Sequence, residues 1–404
     1  PAARPALAAE ALLDGVAPGD TAAYVEALEA RVAEGAPGAD ELTLLGLAYQ
    51  QRARETGDAT FYPRSEEALR RALGLEPRSG LAVTGLASLA ASRHRFEEAR
   101  ALAERAVHLA PYSAGPQGIL GDALAELGRY REAFAAWERM VSVEPDAAAY
   151  ARISYARELL GRPGAALDAM ELTVGAASAR GEHAAWALVQ AGNLRFGQGS
   201  LGSAARSYRE ALVRFPGYAS AQAGLARVEA ARGRTERAVA LYRQALEAVP
   251  LPEYAAGLGE TLEASGRRAE AEEAYALVDA TQRLLEANGV RTDLETALVS
   301  LDRGRDLPGA LARAREAYEE RRSIQAEDVL AWALYRNGLC EDARGHSQRA
   351  LRLGTRDALL LFHRGMIERC LSEDEAARSY LARALAINPH FSLRWAPVAE
   401  EAVR

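Results

Sequence analysis

Lysine is absent from this chain: all 49 basic residues are arginine. Schiff-base catalysis and a phosphate-binding loop with its Lys are therefore excluded. The six histidines are His94, His108, His183, His346, His363 and His390. None stands three or four residues from another, so no helix face offers a metal a histidine pair. Cys340 and Cys370 are the only cysteines. They form no CxxC pair and cannot build a disulfide framework, so neither zinc nor redox chemistry is indicated. Gly257-Leu258-Gly259 begins a GxGxxG pattern but has Leu262 where the third glycine belongs. Adjacent carboxylates such as Glu272-Glu273 and Glu319-Glu320 point to different sectors of a helix. With Arg321 and Arg322 beside the second pair, they read as solvent faces. No GxSxG, HExxH or EF-hand pattern occurs. The chain thus offers no catalytic residues, no metal ligands and no cofactor site, and it is expected not to be an enzyme.

The formal net charge of -7 argues against a nucleic-acid surface, which needs a basic excess. Apolar runs such as Ala358–Phe362 fall far short of the roughly eighteen residues of a membrane span. The sequence starts at Pro1 rather than Met, and residues 1–20 hold no signal-like apolar core. Removal of an N-terminal signal or anchor fits this start, so cytoplasmic and extracytoplasmic locations both stay open.

The elements that must position any site follow from a period. Pro77, Pro111 and Pro145 are 34 residues apart, as are Pro216 and Pro250, and Thr355 and Pro389. Alanines keep the same step from Ala99 to Ala133, Ala204 to Ala238 and Ala343 to Ala377. In Gln117–Pro145, Leu120, Leu124 and Leu127 lie at helical spacing, as do Ala133, Trp137 and Val141. Gly128-Arg129 separates the two runs and Pro145 closes the second. Small side chains at Gly121 and Ala133 let the helices approach, and Trp137 fills the wedge to the next hairpin. Such a hairpin buries its apolar faces only by stacking on neighbours.

On these residues the chain resembles the tetratricopeptide repeat, a 34-residue helix-turn-helix family. The family's small eighth position is matched by Gly46, Ala87, Gly121, Ser154, Gly192, Ala226, Gly259, Ala297, Ala331 and Gly365. Its aromatic twenty-fourth position is matched by Trp137, Tyr208, Tyr242 and Tyr275. The resemblance implies an all-α, right-handed superhelical solenoid of about ten hairpins with capping helices at both ends. The stretch from Ala326 to Phe391 further resembles the ending of uncharacterised bacterial repeat proteins, which brings no activity with it.

The expected organisation is a leading segment and capping helix over residues 1–38, repeats one to four over 39–182, five to seven over 183–290, eight to ten over 291–391, and a terminal helix over 392–404. Residues 20–34 read as one amphipathic helix with Asp20 or Thr21 as N-cap. Extra residues near 175–183 and 281–293 mark candidate seams, or plain loop extensions. The turn from Arg54 to Pro63 reads as longer than the others.

In this family the first helix of each hairpin lines a concave groove, which the resemblance carries onto Tyr155, Glu158, Trp186, Asn193, Phe196, Arg227, Glu260, Glu263, Trp332, Tyr335, Arg336, Phe362, Met366 and Arg369. The partner-binding candidates are Tyr155, Trp186, Asn193, Arg227, Glu260, Trp332, Tyr335, Arg336 and Arg369. Val189 and Ala223 stand where a carboxylate clamp of this family would place basic residues, which argues against a chaperone-tail clamp. Aromatic and Arg anchors in a groove suit a protein or peptide partner, and Arg227 suits a carboxylate on it. The plainer reading pairs Arg227 with Glu260, one repeat on. A second functional reading places a small-ligand pocket of a sensor among the aromatic residues of the last two repeats. Self-association through the terminal hairpins is open, with no stoichiometry indicated.

Overall fold

A computed structural model describes residues 20–177 and 181–404. The expectations for residues 1–19, and for 178–180 within the first insertion, lie outside the described residues. Every regular element among the described residues is an α-helix, and none is a strand. After the helix Asp20–Glu34, ten helical hairpins follow one another. Their first helices are Ala39–Thr56, Gly80–Ser92, Ala114–Glu126, Ala147–Leu159, Glu182–Gly197, Ala219–Ala231, Pro252–Ala264, Asp293–Arg303, Ile324–Arg336 and Ala358–Cys370. Each is followed by its partner, the last being Asp374–Ile387, and the helix Trp395–Val403 ends the chain.

The repeated small and aromatic positions meet in space. Gly121 and Ala133 are buried, and a methyl group on Gly121 would collide with the Trp137 indole. Tyr208 lies between Gly192 and Gly224, where a methyl on either glycine would meet its ring. Tyr275 abuts Gly259 in the same way. The turns inside most hairpins use a left-handed glycine, such as Gly128 at φ 74°. His94 and Ser372 take that conformation without being glycine, at φ 56° and 61°.

Three local expectations are corrected. The first hairpin's turn is longer than the others by a single residue and narrower than expected: its first helix runs to Thr56, its second starts at Phe61, and Pro63 sits in the opening turn of that helix. The extra residues near 281–293 lengthen a helix instead of a loop, for Arg268–Ala287 spans 20 residues and includes Leu284 and Leu285. Thr21 is buried and donates to Glu55 at 2.9 Å.

The chain forms two compact units. The first runs through Ile153 and takes in Leu172–Ala184 and Leu284–Arg291. Within it Asp122 accepts from the Trp137 indole at 2.9 Å and pairs with Arg152 at 2.8 Å, tying the third hairpin to the fourth. The Arg291 carbonyl lies 2.6 Å from His94 Nδ1, and the Arg291 amide donates to the Arg93 carbonyl at 3.3 Å. The second unit contains Ser154–Glu171, Ala185–Arg283 and Thr292–Arg404. A disulfide joins Cys340 to Cys370 in it, with Cα atoms 6.2 Å apart. The sequence reading had taken the two cysteines as too few for a disulfide framework and had not paired them with each other.

Candidate functional site: the inner face of the second unit

The site is built from first helices, and those of hairpins five, seven, eight and nine meet residues far along the chain. At hairpins five and six, Asn193 Oδ1 accepts from Tyr208 Oη at 2.8 Å and from Arg227 Nη2 at 3.0 Å. The same Arg227 nitrogen donates to Tyr208 Oη at 3.2 Å, and its guanidinium lies 4.1 Å from the centre of the Phe196 ring. Arg227 therefore pairs with Asn193 one repeat earlier, where the plainer reading had named Glu260. Its side chain stays exposed, and Trp186 is 36% exposed. Tyr155 is half-buried and receives the Gln325 amide at 3.4 Å.

Glu260 holds residues near the C-terminus of the same chain. Its Oε1 accepts from Ser392 Oγ at 3.0 Å and from the Arg394 main-chain N–H at 3.3 Å. Glu263, one turn on, pairs with the Arg394 guanidinium. Asn388 is buried and donates to the Phe196 carbonyl at 3.0 Å. The irregular stretch 388–394, between the last two helices, thus lies along first helices of the fifth and seventh hairpins. Thr355 donates to the Leu159 carbonyl, so the connection between the ninth and tenth hairpins also returns to the fourth.

The aromatic candidates of hairpins nine and ten form one group. Trp332 is 1% exposed, stacks on Tyr335 at 4.9 Å and on His363 at 4.2 Å, and meets Trp395 edge-on at 5.4 Å. Phe362 packs against Trp395 at 5.6 Å and Phe391 at 5.4 Å. Asp302 accepts from the Trp332 and Trp395 indoles. The Arg336 guanidinium lies 5.5 Å from both indole rings, donates to the Leu301 carbonyl, and has its pKa lowered by burial. Arg369 is exposed near Tyr335 and makes no ion pair among the described residues.

This face is acidic. Burial raises the Glu260 and Asp302 carboxyls above their usual range. Glu158 reaches solvent, yet the protein around it and the charge of Asp357 push its carboxyl up to about 7. No side-chain cation pairs with Glu158 among the described residues. Behind Asp357, buried His363 presents Nδ1 to Asp328 at 2.8 Å. No group of three or more His, Cys, Asp or Glu among the described residues could hold a metal ion. Sequence reasoning had placed Glu260, Glu263 and the aromatic residues on this face. It missed that Ser392, Arg394 and Trp395 would meet them.

A tetratricopeptide-repeat family model matches residues 51–114, 189–251 and 329–390. Among solved structures, a chain of the Cut9–Hcn1 hetero-tetramer of APC/C is 18% identical with a TM-score of 0.38, over 90% of this chain and 63% of that one. A tetratricopeptide-repeat protein from Parabacteroides merdae is 18% identical with a TM-score of 0.38, over 63% of this chain and 96% of that one. A human IFIT1 dimer with PPP-AAAA is 15% identical with a TM-score of 0.46, over 86% of this chain and 72% of that one. No curated protein sequence matches the chain. Stacked helical hairpins and the matching family model together define the class: the chain belongs to the tetratricopeptide-repeat superfamily. Proteins of this superfamily generally mediate protein–protein interaction and are generally scaffolds without catalysis. No helix among the described residues is long and apolar enough to cross a membrane.

Proposed function

We propose that this chain is an interaction scaffold whose second unit holds a polypeptide segment of a partner protein along its inner face. The observation that carries the reading is the stretch 388–395. It lies on first helices of several hairpins and meets them through a main-chain N–H, a hydroxyl, an arginine and an indole, the groups a bound peptide would use. Two regions divide the work. At hairpins five and six, Arg227 is held by Asn193 and Tyr208 through one nitrogen and offers its remaining N–H groups to a carboxylate of the partner, with the exposed Trp186 about two turns away along the fifth hairpin's first helix. The second region is the aromatic group of Trp332, Tyr335 and Arg336, flanked by Glu260 and Arg369. Trp395 packs into that group, which favours a polypeptide over a small ligand.

A photo-crosslinking amino acid at Trp186, compared with one at Glu247 on an exposed second-helix position, tests the reading in native cells. Adducts with one partner protein at position 186 and none at 247, lost in Arg227→Ala at unchanged thermal stability, are the expected result. Equal adducts at both positions, or adducts indifferent to Arg227→Ala, would refute it.

A further inference from the structure

The second region, on the reading just given, has a chemistry that identifies what it binds. Its polar groups are three carboxylates, Glu260 and Glu263 on the seventh hairpin and Asp302 on the eighth, and one guanidinium, Arg336, which donates to the Leu301 carbonyl. Its apolar wall is Trp332 and Phe362. The segment seated there matches this set group by group. Arg394 answers Glu263, its own N–H answers Glu260, and Trp395 packs against both Trp332 and Phe362 while its indole N–H answers Asp302. A carboxylate-rich face with an aromatic wall complements a cation next to an indole. The polar contacts join residues 93 to 134 positions apart, so they are made by the folded unit and not by local chain geometry.

We propose that this face is the docking site for a partner segment in which an arginine precedes an aromatic residue, and that residues 388–395 occupy it in cis until the partner displaces them. The segment is anchored by an arginine pair whose Arg394 and Glu263 side chains are 23% and 41% exposed, a contact that solvent weakens. An intramolecular occupant lowers the apparent affinity for a competing segment by the fraction of time the face is open.

The test uses the full-length chain and a labelled synthetic peptide with the sequence of residues 388–399, read by fluorescence polarisation. Arg394→Glu sets two carboxylates against each other and opens the face. A face open about one-tenth of the time in the wild type predicts peptide binding about tenfold tighter in Arg394→Glu. Adding Glu263→Arg to that variant restores the intramolecular pair with reversed sign and repels the peptide's arginine, so the gain should vanish. Equal affinity in the wild type and Arg394→Glu, or a gain that survives Glu263→Arg, overturns the proposal. Should Arg394→Glu fail to fold, the wild type still answers. A saturating peptide carrying heavy isotopes should accelerate hydrogen exchange in the chain's own residues 388–395, and unchanged exchange would overturn the proposal. Crosslinks at Trp186 report hairpins five and six independently. Their persistence after a failure here would leave the scaffold reading standing and remove only this assignment.

Discussion

Trp332 and Trp395 donate their indole N–H groups to the same oxygen of Asp302, each at 3.0 Å. One carboxylate thereby joins the eighth hairpin, the ninth and the final helix. Both indoles are satisfied by a group that burial would otherwise penalise.

Trp395 is expected to stabilise the second unit through that bond and through its contacts with Trp332 and Phe362. Truncating a buried Trp costs about 3–5 kcal/mol, and the partial exposure of Trp395 places Trp395→Ala near the lower end. Urea unfolding followed by circular dichroism checks the value. A change under about 0.5 kcal/mol would mean the contacts contribute little.

The disulfide closes a loop of about 30 residues, for which chain entropy predicts roughly 3–4 kcal/mol. A reductant should lower the unfolding midpoint of the wild-type chain and leave a Cys340→Ser/Cys370→Ser variant unmoved. Thermal melts with and without reductant decide the matter, and equal melts for the wild type would contradict the bond.

Helix approach at Tyr208 sets a third expectation. Gly224→Ala places a methyl against the ring and should cost about 1–3 kcal/mol through overpacking. Gly233→Ala is costly for another reason, because Gly233 holds φ 71°, where a side chain is strained. Denaturant midpoints of the two variants would separate these effects from the neutral outcome expected at an open helical position such as Gly164.

Glu158 gives a pH dependence with a definite sign. Its folded pKa is raised to about 7, so it favours the folded chain fully below the ordinary carboxylate range. That contribution is lost as pH rises from about 4.5 through about 7. Asp357, with Asp328 and His363 behind it, is the titratable set facing it, and Asp357, although its side chain reaches solvent, is itself raised by the protein packed around it. Melting points of the wild type should fall over this window relative to Glu158→Gln. Parallel curves for the two proteins would show that the carboxyl titrates normally.

The hairpins were legible because each is a local matter. Proline and alanine at a 34-residue step, a small residue such as Gly121 and an aromatic such as Trp137 meet within one hairpin. The disulfide carried a signal that went unread. Cys340 opens a second helix and Cys370 closes the first helix of the next hairpin, so stacking brings both to one end of adjacent hairpins. The extension through Leu284 and Leu285 looked like a loop only because it departs from the period. The C-terminal contacts were not legible. Glu263 meets Arg394 across 131 positions, and such a pairing depends on small rotations accumulated over several stacked repeats. No spacing within a repeat encodes that sum.

Hydrogen–deuterium exchange at the Arg394 amide tests the central claim most directly, because that N–H donates to Glu260 only when residues 388–395 lie on the inner face. In the full-length wild type the amide should exchange about tenfold more slowly than in an unfolded chain, the protection that a face open one-tenth of the time allows, and Glu260→Ala should erase most of it. Exchange at the unfolded-chain rate in the folded protein would contradict the account.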